Sequence, residues 1–95
     1  MDPQRLWMML NDLAARLGVE VRLERMEDGE GFVVQGGLCR IGESMVAIVD
    51  RRQGPSGRTV QLARALAGLE LDGVSMVPML REMLEKAKEQ SADEE

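Results

Sequence analysis

At Gly18 the hydrophobic period of the chain changes, and that change fixes the kind of fold open to it. Upstream, Leu6, Leu10, Leu13 and Leu17 recur at three- and four-residue spacing, the mark of a helix with one apolar stripe. Asp2 followed by Pro3 forms an N-cap and first-turn pair, and Gly18 is the expected stop. Downstream, Val19, Val21 and Leu23 alternate with Glu20, Arg22 and Glu24, which predicts a strand with one buried face. A chain whose period passes from 3.6 to 2 has to pack helix against sheet.

The remaining segments extend that pattern. Met26–Gly31 is a polar, glycine-rich turn, and Phe32–Gln35 reads as strand. Gly36-Gly37 permits a bulge before Leu38-Cys39-Arg40-Ile41 resumes, and Gly42-Glu43-Ser44 closes a tight hairpin into Met45–Asp50. That last run is almost continuously apolar, as expected of a strand lying centrally or buried on both faces. A loop over 51–57 leads to a second helix near Arg58 carrying Leu62, Ala63, Leu66 and Leu69, with Ser56 as its expected cap. Asp72-Gly73 interrupts, 74–77 reads as extended, and Pro78 opens a third helix whose buried side includes Met76, Met79, Leu80, Met83, Leu84 and Ala87.

The expectation is an α+β domain over 1–90: an N-terminal helix, a three- to four-stranded antiparallel sheet, and two C-terminal helices packed on that sheet. Residues 91–95 read as a frayed acidic tail. At 95 residues there is one core and no room for a second.

Composition narrows function by exclusion. Histidine and tyrosine are absent, so neither a Ser-His-Asp nor a Cys-His system can be built within one chain. Twelve basic against 17 acidic residues give a net charge of -5, which argues against nucleic acid as partner. Residues 85–95 hold five acidic and two basic groups and so carry -3 of that charge, leaving the body nearly neutral. One cysteine, Cys39, allows no internal disulfide and suits a reducing, cytoplasmic setting. No apolar run reaches the roughly 18 residues that span a bilayer, and the opening segment lacks the apolar stretch of a signal peptide, so no membrane partner is expected.

Each candidate site carries a plain structural alternative. The strand-to-helix loop Arg52–Thr59 invites comparison with a P-loop, but Arg52 and Arg58 stand where glycine and lysine are required. Gly54, Ser56, Gly57 and Arg58 remain a candidate anion site, against a simple capped glycine loop. Glu27, Asp28 and Glu30 gather three carboxylates without EF-hand spacing, so a solvated turn is the alternative to a cation site. Cys39 is a candidate reactive thiol or a structural cysteine, with Arg40 on the opposite strand face. Met8 falls off the apolar stripe and, with Trp7, is the candidate interface. Met76, Met79 and Met83 suit either core filling or an adaptable binding face. No catalytic residue, metal or cofactor is expected.

Leu17-Gly18-Val19-Glu20-Val21, Met45–Arg51 and Leu62-Ala63-Arg64-Ala65-Leu66-Ala67-Gly68 together resemble the minimal core of zincin-like peptidases of the ImmA/IrrE type. The family's active-site helix reads Leu-Ala-His-Glu-Leu-Gly-His, which puts Arg64, Ala65 and Gly68 at the positions of first ligand, general base and second ligand. Zinc chemistry requires two imidazoles and a carboxylate there, so the resemblance implies a shared fold without the activity. The segment Gly36–Arg40, with Pro78-Met79-Leu80-Arg81-Glu82, is also similar to short bacterial proteins with no known activity. The functional expectation is a non-enzymatic cytoplasmic interaction or regulatory module, with a protein partner or self-association. The alternative is a small anion or metabolite binder at the start of the second helix.

Overall fold

The computed structural model describes residues 2–24 and 37–93, with side chains through Glu89. Helix α1 (Pro3–Arg16) begins where the sequence predicts: the Asp2 carboxylate accepts the Gln4 N–H at 3.2 Å, and Pro3 takes the first turn. Strand β1 (Val19–Glu24) follows after Gly18. Strands β2 (Leu38–Ile41) and β3 (Ser44–Asp50) pair antiparallel across Gly42-Glu43, with Ile41 opposite Ser44. Gly42 has φ +63° and Glu43 a negative φ, the pattern of a type II′ turn, which demands glycine at its first central position. The expected turn at 26–31, its acidic cluster and the expected strand at 32–35 lie outside the described residues.

The sheet is mixed, which corrects the all-antiparallel expectation. Its order is β1-β3-β2, and β1 runs parallel to β3 from Val19↔Met45 to Glu24↔Asp50. The two-residue turn forces β2 and β3 to run antiparallel. With β3 lying between them, β1 and β2 run antiparallel, so Glu24 and Leu38, the residues that flank 25–37, stand at the same end of the sheet and no crossover to the other end is required. The near-continuous apolar run of β3 belongs to the central strand, which has a neighbour on each side and apolar residues on both faces.

Helix α2 (Pro55–Ala67) starts earlier than the Arg58 region expected from sequence. Pro55 occupies its first turn, where no N–H is needed and φ is already set, so Gly54 is the N-cap and Ser56 lies inside the helix instead of capping it. Residues 74–77 join no sheet among the described residues, and α3 (Pro78–Asp93) extends into the segment expected as a tail.

Helices α1 and α2 lie on one face of the sheet, whereas α3 packs against α2. This corrects the placement of both C-terminal helices on the sheet, and the reason is width. Three strands about 4.8 Å apart present a face that two helices spaced 8–10 Å already fill. The core sits between these layers: Val19, Ala47 and Val49 meet Leu10 and Leu13 of α1 and Leu62 and Leu66 of α2, while Leu80, Leu84 and Ala87 of α3 complete it. The opposite sheet face carries Glu20, Arg22 and Glu24 beside Val46, Ile48 and Asp50, with Cys39 next to Val46.

Candidate functional site

The densest polar cluster among the described residues lies at the junction of β3 and α2. Asp50 ends the central strand and is 8% exposed. Its carboxylate accepts the Arg52 backbone N–H at 3.0 Å and two guanidinium N–H groups of Arg52 at 3.3 and 3.4 Å. Its own N–H donates to Gln61 Oε1 at 2.8 Å, so the strand end is tied to the second turn of α2. Arg51 N–H donates to the Glu24 carbonyl at 2.9 Å, which carries the tie across to β1.

Of the four residues singled out for anion binding, Gly54 is the cap, Ser56 is exposed, and Gly57 lies beneath the Gln53 side chain, whose amide oxygen a β-carbon there would have to displace. Arg58 Nε donates to the Gln53 carbonyl at 2.9 Å and its Nη2 to the Arg51 carbonyl at 3.0 Å. These donors hold the loop closed. Thr59, 3% exposed, serves the Pro55 carbonyl at 2.8 Å and the Pro3 carbonyl at 3.2 Å, joining the starts of α1 and α2.

Cys39 is half-buried on the sheet face away from the helices, and Arg40 is on the other face, as strand alternation requires. Arg22 shares the sheet face of Cys39, two strands away, and pairs with Glu20 at 2.8 Å. The Glu20 hydrogen bond and charge, aided by Glu24, hold the Arg22 guanidinium above its ordinary range. Arg64 is half-buried in the last turn of α2, Ala65 is buried, and Gly68 caps the helix. Among the described residues no three His, Cys, Asp or Glu side chains converge as metal ligands.

The two candidate interface residues separate. Trp7 is half-buried against the core, whereas Met8 is 67% exposed. Sequence reasoning missed Val77, at 49% exposed, which accepts the first N–H bonds of α3 from Leu80 and Arg81 and sits two residues before Met79, at 41%. Met83 lies one turn beyond Met79, half-buried, so the beginning of α3 presents an apolar patch. The methionine spacing was the readable signal. Val77 gave none, because its segment reads as strand. Gln61, too, was hidden, since nothing in a sequence marks which amide reaches a strand end eleven residues back.

Comparison with protein-family models, with curated proteins and with solved structures finds no match to this chain. No described helix is long and apolar enough to cross a membrane.

Proposed function

We propose that this chain is a non-enzymatic interaction module of the cytoplasm that works through apolar side chains on its surface, first by self-association. The observation that carries the reading is the exposure of Met8, Val77 and Met79. Methionine suits such a surface because its flexible thioether adapts to a partner's shape. The absence of histidine from the chain, which removes the usual neutral-pH proton shuttle, supports a binding role over a catalytic one.

Sedimentation equilibrium tests it on wild type, Trp7→Ala, Met8→Glu and Met79→Glu. The expected result is a wild-type dimer that Met8→Glu or Met79→Glu returns to monomer with an unchanged far-UV spectrum. A wild-type monomer at all concentrations removes self-association.

A second reading, an anion held at the start of α2, is favoured by one observation: Gly54 offers no side-chain cap and the first turn holds no acidic residue. Calorimetry with inorganic phosphate checks it. Heat that survives Arg58→Ala places the anion elsewhere, and no heat in wild type ends this reading.

A further inference from the structure

The end of α2, the loop that follows it and α3 enclose an open cleft of about 160 Å³. Its floor is apolar, made by Ala67, Leu71, Met76 and Leu84. Its two walls differ in charge. One wall is the loop, with Glu70 and Asp72, beside the carboxyl end of α2, where the peptide dipoles add further negative character. The other wall is α3, with Arg81, Glu85 and Lys88 at three- and four-residue spacing on one helix face and a net charge of +1. Among the described residues these groups do not neutralise one another. Glu70, Asp72, Glu85 and Lys88 enter no ion pair or side-chain hydrogen bond, and the Arg81 guanidinium donates only to the Val74 carbonyl, a bond that fixes the loop wall against the helix wall.

A cleft with a negative wall, a positive wall and an apolar floor between them is complementary to a zwitterion with a hydrocarbon body. The volume is below the roughly 300–1,000 Å³ of sites for drug-sized ligands, which restricts the occupant to a small molecule. We propose that this cleft binds a free aliphatic α-amino acid, its ammonium toward Glu70, Asp72 and the end of α2, its carboxylate toward Arg81 and Lys88, and its side chain on Leu71, Met76 and Leu84. The site is separate from the β3–α2 junction and does not depend on self-association.

The test is a backbone amide NMR titration of the full chain with L-leucine, repeated with N-acetyl-L-leucine, which lacks the ammonium, and with L-leucinamide, which lacks the carboxylate. Saturable shifts confined to residues 67–72 and 76–88, with each blocked analogue at least about tenfold weaker, are expected. The exposed variants Glu70→Gln and Lys88→Gln, each with an unchanged far-UV spectrum, should weaken L-leucine by a similar factor. No saturable shift with L-leucine overturns the proposal. Equal binding of all three compounds, or L-leucine binding unchanged in both variants, overturns it equally, because the charged walls would then contribute nothing. Sedimentation of the same samples reads self-association independently, so failure of one reading leaves the other standing.

Discussion

A single amide decides how the central strand meets its helix. Gln61 Oε1 is the acceptor for the Asp50 N–H, at a site where the Asp50 residue is almost wholly removed from water. Removing the acceptor leaves a part-buried donor to bear its desolvation, which costs about 1–3 kcal/mol, whereas the bond itself is worth less than that on balance. Gln61→Ala should therefore lower the unfolding free energy by that amount, read as a lower urea midpoint with an unchanged slope. An unchanged midpoint would mean that water replaces the amide. Arg58 shows the same logic at a solvated position: its two bonds go to carbonyls that water can also serve, so Arg58→Ala is expected to cost less than Gln61→Ala. A comparison of the two midpoints checks the order.

The start of each helix was readable in proportion to the local chemistry that sets it. The start of α1 was written in Asp2-Pro3 and the start of α3 in Pro78, because capping and proline geometry act within a few residues. The start of α2 was misplaced because Pro55, with Gly54 before it, outweighs the polar residues that follow. Strand direction was not readable at all. Alternation in β1 says which residues share a face, but the same alternation suits parallel and antiparallel pairing, and the strand order that puts β3 between β1 and β2 is written in no local pattern. Two glycines in this sheet make distinct predictions. Gly37 has φ +74°, and a β-carbon on it would stand 2.7 Å from the Ile48 carbonyl oxygen, while Gly42 has φ +63° with nothing within 4 Å. Alanine at either position meets the left-handed penalty of about 1–2 kcal/mol, and only at Gly37 must the central strand also shift. Gly37→Ala should be the more destabilising by thermal melting, and equal losses would show that β3 yields without cost.

At the scale of the molecule the question is whether α3, which packs on α2 away from the sheet, belongs to the same cooperative unit as the rest. Leu84 is 2% exposed and shares the core with Leu62 and Leu66, so the apolar contact runs without a break from the sheet through α2 to α3. The radius of gyration, 12.7 Å, is close to the roughly 12 Å of a single domain of this length. Leu84→Ala should cost about 2–5 kcal/mol, a large part of the 5–14 kcal/mol that 95 residues at ordinary per-residue stability would have. Trp7, the one tryptophan, reports from α1 at the far side of that core, while far-UV dichroism reports all three helices. If the core is one unit, Leu84→Ala moves the fluorescence and dichroism transitions together by the same amount. A dichroism transition that falls early while Trp7 keeps its wild-type midpoint would instead show α3 unfolding alone, and the contact between Leu84 and the α2 leucines would then be a docking contact between two separately stable parts.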